Sequence, residues 1–388
     1  MEEKRKKIFG IERNVFFLGI VSFFNDISSE MILSVFPAFF SSVLKSGAAS
    51  LGIVEGVADG MAQFIKVFSG RFVDKVRKHR LFTIIGYLIS VLTRPFYGIA
   101  SQVSHVFVLR TIDRAGKGFR EPSRDTLISL SVPRRELGKS FGYHRTVDTL
   151  GAIIGPLITF LLIKNFPDSW HLVFITSFLI GLLALATFIF VKKAPALKND
   201  FKIISKTTDI NQKSIYISFL FLSLGTLPTA ILLLRVIDAD FDISYIPLFY
   251  LIYSVCFSVF AFYAGNLADK IGTRKVLNLG YLFLLLSYIF LAFDGVVGLI
   301  FGFFILGLFS AFTDGTMRAF ISKHSNQSNR GSAIGLLSGI NGLGLIGAGA
   351  MGGFLWEMIS PTVAVTVSAI FILFGLVILT SSRKNTIA

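Results

Sequence analysis

Apolar residues along this chain gather into runs of about twenty, each long enough to carry a helix across the hydrocarbon core of a bilayer. Short polar connections separate them. The pattern predicts helices over residues 14–43, 49–70, 81–100, 104–127, 138–163 and 169–191, then over 214–237, 244–265, 276–294, 297–320, 331–356 and 361–380. The expected fold class is an all-α membrane protein of twelve transmembrane helices. The one long polar connection, 192–213, has no apolar period and is rich in Lys. It divides the chain into an amino-terminal six-helix bundle, 1–191, and a carboxy-terminal one, 214–388.

Charge then orients the spans. Basic residues recur at alternate connections: Lys4 to Lys7, Arg71 to Arg80, Arg134 with Arg135 and Lys139, Lys192 to Lys213, Lys270 with Arg274 and Lys275, Lys323 with Arg330, and Arg383 with Lys384. The intervening connections hold Lys45 and Lys164 among acids such as Asp168, Asp238, Asp240, Asp242, Asp294 and Glu357. This alternation predicts an even number of spans with both termini cytoplasmic, in a cell inner (plasma) membrane. The net charge of +15 is therefore read as topological, and no nucleic acid partner is expected.

Composition agrees. Hydrophobic residues make up 53% of the 388, Phe alone numbers 42, and only 16% are charged, against about a quarter in soluble domains. The single Cys256 excludes an intrachain disulfide and a multi-cysteine metal site. The opening MEEKRKKIFGIER is followed by no small-residue cleavage site, so the first helix is expected to be retained. Gly342, Gly344 and Gly347 spell G-x-G-x-x-G, but no strand precedes them, and tight helix packing accounts for them. With no H-E-x-x-H, G-x-S-x-G or nucleotide-binding loop, the expectation is no enzyme, no metal and no cofactor beyond a coupling proton.

A repeat supports the division into halves. Residues 70–75 read GRFVDK and residues 265–270 read GNLADK; Arg124 corresponds to Arg318, and Gly138 and Gly151 to Gly331 and Gly344. Gly70, Asp74, Arg77 and Lys78, and again Gly265, Asp269, Arg274 and Lys275, approximate the pattern G-x-x-x-D-x-x-x-R/K-R/K, with the basic pair one residue early in the first copy and one late in the second. On these residues the chain resembles the major facilitator superfamily, whose members carry this motif in the loop after the second helix of a half. The resemblance implies two homologous bundles that rock about a central site. It also implies a conformational latch at Gly70, Asp74, Lys78, Gly265, Asp269 and Arg274, with Arg124 and Arg318. The run GAIIGPLITF, with Gly151, Gly155 and Pro156, resembles the family's antiporter motif, which bends helix five. Where that motif continues with a glycine pair, this chain has Thr159 and Phe160.

Charged residues inside the spans are the informative chemistry, because each costs about 2.5–3.5 kcal/mol at mid-membrane unless paired or hydrated. Helix four carries Arg110, Arg114, Lys117, Glu121 and Arg124 at spacings of three and four, hence on one stripe, with Asp113 and Asp125 beside it and Val108, Ile112, Ala115 and Phe119 opposite. Helix two carries Glu55, Asp59 and Lys66, helix one Asp26 and Glu30, helix three Arg94, and helix five His144, Arg145 and Asp148. The expected substrate and proton pathway comprises Asp26, Glu30, Glu55, Asp59, Arg94, Arg114, Lys117, His144, Arg145 and Asp148. The second half holds few such residues, chiefly Asp314, Arg318, Arg235 and Asp238. The expected function is proton-coupled secondary transport of a small organic solute, leaning to efflux by antiport, by a monomer in the lipid bilayer. The alternatives are uptake of an anionic metabolite on Arg94, Arg114, Lys117 and Arg145, or a non-transporting receptor that keeps the fold.

Overall fold

The computed structural model describes residues 7–133, 136–192, 210–293, 295–323 and 330–381, with backbone alone for 71, 74, 210–212, 322–323 and 330–332. A hairpin of β1 (Lys7–Ile8) and β2 (Ile11–Glu12) precedes α1 (Arg13–Ser42), α2 (Ala48–Val76), α3 (His79–Tyr97), α4 (Val103–Ser131), α5 (Leu137–Asn165) and α6 (Trp170–Phe188). Then follow α7 (Ile210–Leu224), α8 (Thr229–Asp238), α9 (Ile246–Ile271), α10 (Thr273–Ala292), α11 (Val296–Lys323), α12 (Arg330–Met358) and α13 (Pro361–Ser381). Among the described residues nine stretches have the length and apolarity of membrane spans, α7 and α8 counting together. The other three spans, α2, α3 and α4, carry much of the polar chemistry described below.

The seventh span departs from expectation. It is not one helix over 214–237; it breaks at Gly225–Pro228 into α7 and α8. Pro228 has no N–H to continue the helical ladder. The groups freed by the break are met by one side chain of α10: the Tyr288 hydroxyl donates to Gly225 O at 2.8 Å and accepts from Leu227 N at 2.9 Å. In hydrocarbon a broken helix persists only where its backbone is satisfied in this way.

A second difference concerns the repeated G-x-x-x-D motif. The Gly and Asp positions of both copies lie on the last turns of helices, 70 and 74 in α2 and 265 and 269 in α9, while Arg77 and Lys78 form the turn to α3 and Arg274 and Lys275 begin α10. Phe72 and Val73 extend the apolar run, and α2 ends only where Arg77 takes φ +57°.

The described residues form two compact units. The first holds 7–35 with 65–192, and the second 36–64 with 210–381. Thus α1 and α2 are each divided between units. In the first unit the amino-terminal hairpin turns at Phe9 and Gly10, both with positive φ, as a tight two-residue turn requires. Lys7 pairs with Glu136 at 3.0 Å and Lys139 donates to Gly10 O at 3.0 Å, tying the hairpin to the start of α5. Asn14 donates to Ser131 Oγ and Lys192 O, both at 3.2 Å, and accepts from Lys192 N at 2.9 Å, which gathers the ends of α1, α4 and α6.

In the second unit the start of α2 lies directly on α12. A Cβ on Gly52 would land on the carbonyl oxygen of Gly349, and one on Gly349 on that of Gly52; Gly56 and Gly60 meet Leu345 O and Gly342 O. Only glycine permits two helical backbones to approach so closely. Glu357, near the end of α12, accepts from Ala49 N at 2.8 Å and so satisfies a first-turn donor of α2. Replacing Gly349 by Val should therefore force the helices apart. Overpacking of this kind costs about 1–3 kcal/mol, and the expected outcome is a lowered melting temperature of the detergent-purified chain by differential scanning fluorimetry. A variant as stable as the parent would show that this backbone contact is dispensable.

Candidate functional site

The polar residues of the first unit converge where α5 crosses α1. Gly151 and Gly155 make the crossing close: a Cβ on Gly151 would meet Phe23 O and the Asp26 Cβ, and one on Gly155 would meet Ile27 O and the Glu30 Cβ. The α1 face that receives α5 is thus the face bearing the two acids. Asp148 lies three residues before Gly151, and its carboxyl faces that of Asp26 within hydrogen-bonding reach. Arg145 approaches the second oxygen of Asp148 at 3.5 Å. Beyond Gly155, α5 continues through buried Pro156 without interruption. At the departure from the antiporter pattern, Thr159 Oγ1 donates to Met31 O at 3.2 Å, so a hydroxyl contact to the α1 backbone stands where the motif would place glycine.

One turn before Asp148, the buried His144 sits with Nε2 2.9 Å from Ser22 Oγ. That hydroxyl also receives an N–H of Arg124 at 3.2 Å and lies 3.2 Å from the Tyr87 hydroxyl. A serine hydroxyl gives one hydrogen and accepts two. Ser22 can therefore donate to His144 while accepting from Tyr87, or accept from His144 and donate to Tyr87, with Arg124 donating in both. Either direction satisfies every partner. Arg124 also grips Asp125 Oδ1 with two nitrogens, at 3.0 and 3.1 Å.

Behind this lies a closed polar core. Arg94 is 1% exposed and its guanidinium donates to Ser28 Oγ and, at 2.8 Å, to Asn25 Oδ1. Arg120, 5% exposed, reaches the same Asn25 oxygen at 3.5 Å and Ser90 Oγ at 3.1 Å, with its guanidinium 4.9 Å from the centroid of Tyr87. Ser28 and Ser177 bond each other, bringing in α6. Two buried guanidiniums thus share neutral oxygens, and Arg110 pairs with Asp113 at 3.3 Å one level away. The close contact of Gly86 on Gly116 seats α3 against α4 and makes room for these long side chains.

The open part of the cluster is different in kind. Glu121 binds Lys66 at 2.6 Å and lies 3.8 Å from Lys117, and all three side chains are partly accessible. Ser69 Oγ donates to Gly118 O at 2.7 Å and fixes α2 on α4 there. The opposite face of α4 presents Val108 and Ile112 outward, as expected. The stripe on α4 is thus amphipathic in the sense the spacing predicted.

The structure brings Asp26, Glu30, Arg94, Arg114, Lys117, His144, Arg145 and Asp148 into one unit. Glu55 and Asp59 belong instead to the second unit, where Glu55 is buried. Of the latch residues, Gly70 approaches Pro122 of α4, while the Asp74 side chain lies outside the described residues. Lys78 is exposed at the start of α3, Gly265 faces open space, and Asp269 is exposed. Arg274 stacks over Phe320 at 5.5 Å, and Arg318 pairs with Asp314 of its own helix at 3.0 Å. Asn25, Ser28, Ser22, Ser90 and Arg120 complete the site and were not singled out by sequence. The first four are neutral, and Arg120 stands beside the α4 stripe, so periodicity gave no signal for them. Among the described residues no group of His, Cys, Asp and Glu could hold a metal.

Known proteins resemble the chain in sequence and in fold. The family profile described as Major Facilitator Superfamily matches residues 18–249 and 214–386. An uncharacterized MFS-type transporter of Methanocaldococcus jannaschii is 31% identical over 379 residues, 95% of each chain. Multidrug resistance protein MdtG of Yersinia enterocolitica is 26% identical over 194 residues, 49% of this chain and 46% of that one. Among solved structures, the nucleoside transporter NupG superposes with a TM-score of 0.76 at 18% identity, covering 95% of this chain and 98% of that one. A variant of the peptide transporter POT gives 0.81 at 13%, covering 98% and 96%.

The closed core makes a stability prediction. Arg94 uses separate nitrogens for Ser28 and Asn25, a fork that an ammonium cannot reproduce. Arg94→Lys should leave one of these buried oxygens without its charged donor and cost about 1.5–3 kcal/mol. The measurement is the thermal unfolding midpoint in detergent; an unchanged midpoint would show that the fork carries no weight.

Proposed function

Because this chain belongs to the major facilitator superfamily, we propose that it is a proton-coupled secondary transporter that exports a small organic solute in exchange for protons. The observation that carries the coupling is the facing pair Asp26 and Asp148. Two carboxyls at this range accept one proton between them, since both cannot keep full charge side by side in a low dielectric. Gain or loss of that proton changes the charge at the α1–α5 crossing by one unit. Gly151, beside Asp26, makes the crossing sensitive to that change, because no side chain separates the two helices there.

His144, Ser22 and Tyr87 supply a route for the proton. Each lies about one turn nearer the amino-terminal end of the bundle than the carboxyl pair, and the chain can reverse its hydrogen-bond direction without gaining net charge. On the positive-inside rule this end is cytoplasmic, and the protein is a monomer of the inner membrane. The outward direction is supported by the Gly151, Gly155 and Pro156 run of α5 and by the partial likeness to MdtG.

The test is transport by the purified chain in vesicles, using cationic, neutral and anionic solutes and a pH-sensitive dye. Addition of a carried solute should dissipate an imposed pH gradient. Asp26→Asn or Asp148→Asn should reduce that dissipation at least tenfold while solute counterflow without a gradient persists. His144→Gln should slow it less. Gradient-driven movement that survives both carboxyl replacements would reject the assignment.

A further inference from the structure

We propose that the transported solute is an anion, and that its carboxylate or phosphate group takes the place now held by Glu121 between Lys66 and Lys117. This names the substrate class of the transport cycle above and rests on that reading. Three features of the first unit lead to it.

The first is a surplus of positive charge. Between Asp26 and Asp148, leaving aside the end connections 71–80 and 134–139, the spans of this unit, which take α2 only from Ile65 onward and so omit Glu55 and Asp59, hold eight Lys and Arg against six Asp and Glu. A cluster built only to hold helices together would come out balanced, because uncompensated charge inside a bilayer is costly. An external anion supplies the missing balance.

The second is where the charge can be reached. Arg94, Arg110 and Arg120 are 5% exposed or less, and engaged by Ser28, Asn25, Asp113 and Ser90. The accessible members are Lys66, at 23%, and Lys117, at 35%. An ammonium exposed to this degree within a membrane span needs water, not lipid, at its open side. The lipid-facing side of α4 lies opposite, at Val108 and Ile112. Arg114 and Arg120 of the same helix are buried and so are not reachable themselves.

The third is the occupant. Glu121 lies 2.6 Å from one ammonium and 3.8 Å from the other, so it is engaged closely by Lys66 and loosely by Lys117. A carboxylate thus already lies between the two ammonium groups, in the position an anionic group of the solute would take. Ammonium groups are compact donors without the planar fork of guanidinium, so the pair takes carboxylates and phosphates alike. An incoming anion completes the loose side first, at Lys117, then competes with Glu121 for Lys66.

The experiment measures binding to the purified full chain by thermal shift at fixed pH in detergent. No gradient is present, so failure of proton coupling would leave the result intact. The probes are benzoate, benzylamine and benzyl alcohol, matched in shape and differing in charge, with glucose 6-phosphate against glucose. At least one anionic probe should raise the melting temperature while its neutral and cationic counterparts do not. The carboxylate and phosphate arms distinguish the two sources of charge. Glu121→Gln should tighten the apparent affinity for the anion several-fold by removing the internal competitor. Lys117→Met should abolish the shift and Lys117→Arg should retain it; the charge-balanced double replacement of Lys66 by Met and Glu121 by Gln should weaken it about tenfold. The proposal is overturned if no anion stabilises the protein, if benzylamine or the neutral probes do so instead, or if the anion's shift is the same in Lys117→Met as in the parent.

Discussion

Charge inside hydrocarbon must find compensation within the protein or in water brought in with it, and the first unit is organised around that requirement. It meets the requirement in two ways. Arg94 and Arg120 are closed in: Arg94 donates to Asn25 and Ser28, and Arg120 donates to Asn25 and Ser90 and lies over the face of Tyr87. Lys66, Glu121 and Lys117 remain open, and their charges compensate one another loosely. The closed set holds α1, α3, α4 and α6 in register, which leaves the open set free to exchange partners. In the proposed cycle, chemistry that changes is thereby separated from chemistry that does not.

Glycine makes both arrangements geometrically possible. Long side chains such as Arg need space, yet the helices that carry them must lie close enough for those side chains to reach across. Gly86 against Gly116 brings α3 onto α4, and Gly151 with Gly155 brings α5 onto α1 beside Asp26 and Glu30. In the second unit the same device seats Gly52, Gly56 and Gly60 of α2 against α12. These surfaces are smooth, with backbone against backbone and few interdigitating side chains.

Much of this was legible in the sequence because the signals were periodic. Eleven of the twelve expected spans lie within a few residues of observed helices, except that α2 and α9 run on through the repeated motif. The spacing of Arg110, Arg114, Lys117, Glu121 and Arg124 did mark a single polar face of α4. The break between α7 and α8 was marked only by Gly225 and Pro228, and its support by Tyr288 comes from a residue sixty positions away, which no local window contains. Asn25 and Ser28 were invisible for a similar reason: they are small, neutral and ordinary until two arginines from other helices converge on them. Glu55 and Asp59 share a helix with Lys66, and spacing alone could not reveal that α2 is divided between the two units.

That division bears on how a local proton could matter elsewhere. The portion of α1 carrying Asp26 and Glu30 lies in the first unit, and the portion from Phe36 onward packs with the second. Pro37, one residue past the changeover, removes a helical donor and crowds the carbonyl four residues back, so α1 is locally weakest there. In the proposed cycle a charge gained or lost at Asp26 acts on a helix whose other end is built into the second unit. No separate relay is needed, since one covalent element carries the carboxyl at one end and the packing contact at the other. Within the second unit, Arg235 on Leu291 O and Trp356 on Asp238 hold α8 in place.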